Sequence, residues 1–235
     1  MILVLAATPI ETELLRHQAG LLTPLADNPY GLFSGTTYRQ SFLLAHGGIG
    51  ASTMAMSLTR ILGVHRPAAI VLIGCGGSYP GSGLAIGDLA LAEREIWGDI
   101  GVTTADGFIP LEQLKLPQDK ELTPLFRQDY HLDENLCRLA RTALPTVRSG
   151  TFVTVNCCSG TPELSREFEH RCAGLCENME GAAVAQVCDE FSVPLLELRG
   201  ISNPTGTRDP AQWDIRAGAE AAQNGLLELL KNWPV

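Results

Sequence analysis

Residues 178–203, NMEGAAVAQVCDEFSVPLLELRGISN, decide how this chain folds. From Asn178 to Phe191 small and apolar residues recur at threefold and fourfold spacing, the period of a helix with a buried face. Beyond Ser192, the run Val193 to Leu198 is nearly unbroken in its apolarity, which is how a strand buried on both sides reads. Helix, turn and buried strand in succession make the repeating unit of an α/β chain. That strand ends in Gly200-Ile201-Ser202-Asn203-Pro204, polar residues placed where a parallel strand meets a ligand crevice, although Asn-Pro is also an ordinary turn signal.

The same alternation runs outward through the rest of the chain. Ile2–Ala7, Ser41–Ala45, Ala68–Ile73, Gly87–Ala92 and Thr151–Val155 read as further buried strands, and Thr8–Gly20, Ala51–Gly63 and Trp213–Asn232 as helices. The pattern predicts one α/β domain over residues 1–235, with a largely parallel sheet between helical layers. The segment from Trp97 to Leu132, richer in Pro, Gly and polar residues, reads as an excursion at the rim.

Composition narrows the function classes. A net charge of -9 without a Lys/Arg cluster argues against nucleic acid as a partner. The apolar start, Met1 to Ala7, lacks a basic leader and soon meets Pro9 and Glu11, so a signal peptide or membrane span is not expected and the reading is cytoplasmic. Seven cysteines, an odd number without paired metal-ligand spacing, read as thiols of a reducing compartment with no metal site.

The unusual residues follow strand ends. Glu11 comes after the first strand, Gly47, Gly48 and Gly50 after the second, Gly74 to Gly77 after the third, Asn156 to Ser159 and then Ser202 and Asn203 after later ones. Each motif has two readings. Thr8-Pro9-Ile10-Glu11 is a capping box, and equally a rigid mount for a carboxylate that activates water. Glu180 at a helix start compensates the helix dipole, and as an ionised acceptor also suits the vicinal hydroxyls of a sugar. His46-Gly47-Gly48-Ile49-Gly50 is a tight turn or a close backbone approach to a ligand; it lacks the spacing of a dinucleotide fingerprint. Trp213 is a core anchor or an aromatic lid.

Taken together these residues resemble the nucleoside phosphorylase/nucleosidase superfamily, in its hydrolytic branch of methylthioadenosine/S-adenosylhomocysteine nucleosidases and futalosine hydrolases. The resemblance is densest from Glu177 to Ser202 and weakest between Trp97 and Leu144. It implies a three-layer fold with a mixed, largely parallel central sheet and a homo-oligomer. It further implies a nucleoside and water as the only partners, with no cofactor and no membrane. By position, Glu11 matches the acid that activates water, Glu180 the one that holds ribose hydroxyls, and Met179 the side chain against the sugar. Ala7, Ile49, Gly50, Cys75, Gly76, Cys158 and Asn178 match the lining of the sugar and base pocket, and Trp213 an aromatic on the flap. Ser202 and Asn203 match the pair that reads the base.

Asn203 departs from adenine-specific relatives, which carry Asp there. A carboxylate accepts from the amino group of adenine, whereas a 6-oxopurine presents an acceptor O6 that an amide can serve with its NH2. The resemblance therefore implies hydrolysis of a 6-oxopurine nucleoside, futalosine above all, releasing hypoxanthine within menaquinone biosynthesis. Cys158 stands where adenosine-cleaving relatives place a stacking Phe. Arg208 meets the substrate's carboxylated tail or is an ordinary solvated arginine.

Overall fold

The computed structural model describes residues 1–20, 22–25, 31–117 and 126–234. Its strands are β1 (Ile2–Ala6), β2 (Thr23–Pro24), β3 (Phe33–Thr37), β4 (Gln40–His46), β5 (Ile70–Ser78), β6 (Leu89–Trp97), β7 (Gly101–Thr104), β8 (Gly107–Pro110), β9 (Asp129–His131), β10 (Arg148–Thr154), β11 (Gly174–Asn178) and β12 (Leu195–Pro204). The helices are α1 (Glu13–Ala19), α2 (Ala51–Val64), α3 (Glu134–Ala143), α4 (Pro162–Cys172), α5 (Gly181–Phe191) and α6 (Ile215–Lys231).

The central sheet runs β11-β10-β6-β12-β5-β1-β4-β3-β2, with β9 on β6. Its middle, β4-β1-β5-β12, is parallel, and there the continuous apolar runs lie: every residue of β1 is buried, as two-sided coverage by helices requires. Antiparallel joins at β12–β6 and β3–β4 make the sheet mixed. A further antiparallel pairing of β11 with β5 closes β5, β12, β6, β10 and β11 into a ring of five strands. α6 lies along β5 and β12 with α1 and α3 against it, while α2 and α5 pack on each other and α4 covers β10 and β11.

The structure differs from the expected elements at the ends that matter for function. Gly74–Ser78 and Gly200–Pro204 read as loops but continue β5 and β12, because the two segments pair with each other through Gly200↔Cys75 and Asn203↔Gly77. A register shift between Ile201 and Asn203 leaves Ser202 as an unpaired bulge residue. The helix expected from Asn178 begins at Gly181, since Asn178 still belongs to β11 and Glu180 is the N-cap. The stretch after Trp97 holds the β7–β8 hairpin, a short 3-10 turn and β9; residues 118–125 lie outside the described part.

Candidate active site

The C-terminal ends of the parallel strands surround a cavity of about 370 Å³. Of the residues singled out in the sequence, Ala7, Glu11, Ile49, Cys75, Gly76, Cys158, Asn178, Met179, Glu180, Ser202, Asn203 and Trp213 lie on its wall. Gly50 stands behind it, its N–H donating to Glu180 Oε1 at 3.0 Å.

Glu11 is placed by the chain that leaves β1. Pro9 opens a 3-10 turn over Pro9–Thr12, and the Glu11 carboxylate swings back so that Oε2 accepts from Thr8 N at 2.8 Å and Thr8 Oγ1 at 2.9 Å. Oε1 accepts from Cys75 N at 3.0 Å, which ties the turn to β5. Three donors hold a group that is only 6% exposed. The approach requires glycine at position 74: a β-carbon there would stand 2.8 Å from Glu11 Oε1 and 2.7 Å from Arg199 Nη1.

Arg199 is the buried cation of the site. It is 2% exposed on β12 and donates through Nε to Glu197 Oε1 at 2.8 Å, and through Nη1 to Glu180 Oε2 at 3.1 Å and Cys75 O at 3.2 Å. It is not among the residues the sequence singles out. The signal for it is a guanidinium at the end of an apolar strand, costly to bury unless carboxylates meet it. Glu180 is thus held at one oxygen by a backbone N–H and at the other by Arg199.

The rest of the wall carries Asn203, Glu177, Cys158, Trp213 and Arg208. Asn203 Oδ1 accepts from Ser202 Oγ at 2.7 Å and Nδ2 donates to Pro204 O at 3.0 Å, so the amide keeps a second N–H and a second lone pair to offer. Glu177, also on the wall and also unforeseen, accepts from Ser159 N at 3.1 Å, Ser159 Oγ at 2.6 Å and Tyr79 OH at 3.1 Å; burial pushes its carboxyl above the ordinary range. The Arg208 guanidinium stacks 4.5 Å over the ring of Trp213, just ahead of α6. Burial and the Glu11 charge push the Cys75 thiol up to about 12, so it lines the cavity as a neutral group, not as a nucleophile.

Chemically, the site offers a rigid carboxylate able to orient and deprotonate water, a second carboxylate suited to vicinal hydroxyls, and a carboxamide that can both give and take a hydrogen bond.

The phosphorylase superfamily model matches residues 1–231. The chain is 31% identical to the futalosine hydrolase of Thermus thermophilus, over 98% of this chain and 95% of that one. It is 26% identical to the 5'-methylthioadenosine/S-adenosylhomocysteine nucleosidase of Halalkalibacterium halodurans, over 90% and 88%. Among solved structures, a futalosine hydrolase mutant from Helicobacter pylori superposes with a TM-score of 0.84 at 20% identity, covering 99% of each chain, which is a likeness of fold.

Proposed function

The chain belongs to the phosphorylase superfamily, and from that premise we propose that it cleaves the N-glycosidic bond of futalosine by hydrolysis, releasing hypoxanthine. It is an N-glycosyl hydrolase. The observation that carries the reading is one cavity holding Glu11 and Glu180 about the buried Arg199, with the uncharged Asn203 on the same wall. In our reading Glu180 grips the ribose hydroxyls while the sugar develops oxocarbenium character, and Glu11 delivers water to C1'. The base leaves with the electron pair of the broken C1'–N bond and takes up the proton that the attacking water loses through Glu11; Asn203 Nδ2 donates to its O6, and Asn203 Oδ1 accepts a hydrogen bond from its N7–H.

Hydrolysis is favoured over phosphorolysis by charge. The guanidinium that meets the carboxylates, Arg199, is already neutralised by Glu180 and Glu197, and Glu11 beside it repels a phosphate dianion. Arg16, the nearest arginine in the chain to Glu11, donates to Pro9 O and borders a different cavity. Arg208 on the Trp213 face is the cation we assign to the carboxylate of the substrate's tail. We place the enzyme in menaquinone biosynthesis, in the cytoplasm and as a homo-oligomer. Ile49 and Met56, 61% and 53% exposed, supply apolar surface for association. Among the described residues no helix is long and apolar enough to cross a membrane.

Base release from futalosine, inosine and methylthioadenosine, each with and without phosphate and read by chromatography, tests the proposal. Phosphate-independent hypoxanthine from futalosine is the expected result. Adenine from methylthioadenosine would move the enzyme to the neighbouring nucleosidases, and dependence on phosphate would make it a phosphorylase.

A further inference from the structure

Where α5 begins against the five-strand ring, Glu95, Glu197 and Arg199 are buried together, none more than 2% exposed. Glu197 Oε1 accepts from Arg199 Nε at 2.8 Å, but its Oε2 is buried with no hydrogen-bond partner. Glu95 Oε1 accepts from Asn178 Nδ2 at 2.6 Å and Oε2 from Thr154 Oγ1 at 2.7 Å. The two carboxyl groups converge on one point above Gly181, where a β-carbon would overlap Glu95 Oε1 and stand 2.6 Å from Glu197 Oε2. Both oxygens lie within 2.6 Å of that point, which puts the orphaned oxygen at most about 4.5 Å from Glu95 Oε1, with a hydrogen bond between the two side chains.

Two dehydrated carboxylates so close repel strongly, and one proton between them removes the repulsion and gives the orphan its partner. Its location follows from the neighbours. Glu197 has a guanidinium, whereas Glu95 has only the neutral donors Asn178 and Thr154. We propose that Glu95 and Glu197 share one proton, carried by Glu95, and that the pair is a positioning device for Glu180. Through Arg199, Glu197 fixes the Glu180 side chain. Through Asn178 and Thr154, Glu95 fixes the start of α5: Asn178 Oδ1 accepts from Glu180 N at 2.9 Å and Gly181 N at 2.7 Å, and Thr154 Oγ1 accepts from Ala182 N at 2.7 Å. Burial, then the charge of Glu197, holds the Glu95 carboxyl well above its usual range. The other titratable and charged groups facing the pair are Arg199, Glu180 and the Cys176 and Cys188 thiols.

The shared proton stands on geometry; its consequence for turnover rests on the sugar-binding role proposed for Glu180. Infrared spectroscopy of the whole protein at mildly alkaline pH is expected to show the carbonyl stretch of a neutral carboxylic acid. The band disappears in Glu95→Gln and persists in Glu177→Gln, which removes the carboxyl outside the pair that burial also raises. Steady-state kinetics on the nucleoside supply the second readout. Glu95→Leu raises KM on the order of tenfold with a smaller effect on kcat, since it removes hydrogen bonds that position a binding group. Glu95→Gln, which keeps a neutral donor toward Glu197, restores most of it. No acid band in the wild-type protein would overturn the proposal, as would a glutamine variant as impaired as the leucine one. If the Glu95 variants fail to fold, the wild-type band and its persistence in Glu177→Gln decide alone. If the wild-type protein cleaves no nucleoside, the functional reading falls while the band still reports the proton.

Discussion

Replacing Glu11 by Gln keeps a side chain of the same shape against Cys75 N and Thr8 but removes the base. Turnover should fall by about 10²-fold or more while the affinity for nucleoside, measured by calorimetry, stays near wild type. Unchanged kcat would take Glu11 out of the mechanism. Asn203→Asp puts an acceptor where a 6-oxopurine also presents one, so the ratio of kcat/KM for inosine-type over adenosine-type nucleosides should drop by roughly 10²-fold. An unaltered ratio would refute the assignment of the base edge. Glu11 and Glu180 stood out in the sequence because each sits in a short motif whose chemistry is local, and Asn203 stood out only through the family resemblance. Arg199, Glu95 and Glu177 did not, because what makes them notable is partners that the fold brings from elsewhere in the chain: Glu180 for Arg199, Asn178 and Thr154 for Glu95, Ser159 and Tyr79 for Glu177.

At the scale of elements, the site depends on how closely α6 lies on β12. Two glycines permit it: a β-carbon on Gly218 would stand 2.9 Å from Gly200 O and 2.9 Å from Ser202 Cβ, and one on Gly200 would reach Ala222 N at 2.9 Å. Asp214 N also donates to Ser202 O at 2.8 Å, so the helix start and the bulge move together. Gly218→Ala should cost about 1–3 kcal/mol in urea unfolding, as overpacking does, and should raise KM by displacing Ser202 and Asn203. Loss of stability with KM unchanged would show that α6 supports the strand without setting the site. The buried strands were readable from their apolar runs. β11 was not, because Glu177 and Asn178 are polar residues with buried polar partners. α3 and α4 are charged surface helices with thin apolar stripes, Cys137 and Ala140 in one and Phe168 and Cys172 in the other. The strand ends at Gly74–Ser78 and Gly200–Pro204 look like loops by composition and are held extended only by pairing with each other.

For the molecule as a whole, the buried acid pair links stability to pH. Glu95 keeps its proton in the folded protein, while in the unfolded chain it ionises near pH 4.5, so above that pH the folded state binds the extra proton. Stability that is present in full below pH 4.5 is therefore lost as pH rises toward the folded-state value, at a slope of at most about 1.4 kcal/mol per pH unit from this group. Glu177, raised in the same direction, adds to the slope. Urea midpoints between mildly acidic and neutral pH should decline less steeply in Glu95→Gln than in wild type; parallel declines would show that Glu95 is ionised in both states. The ring of β5, β12, β6, β10 and β11 has a different consequence, for synthesis. β5 and β6 emerge early, and their missing neighbours β10, β11 and β12 are made much later, so no N-terminal fragment can complete the circle. Until Pro204 has left the ribosome the nascent chain carries open sheet edges, the kind of surface that recruits chaperones or aggregates. The cavity wall built on β5 and β12 waits for that closure, so the site cannot form before β12 has been made.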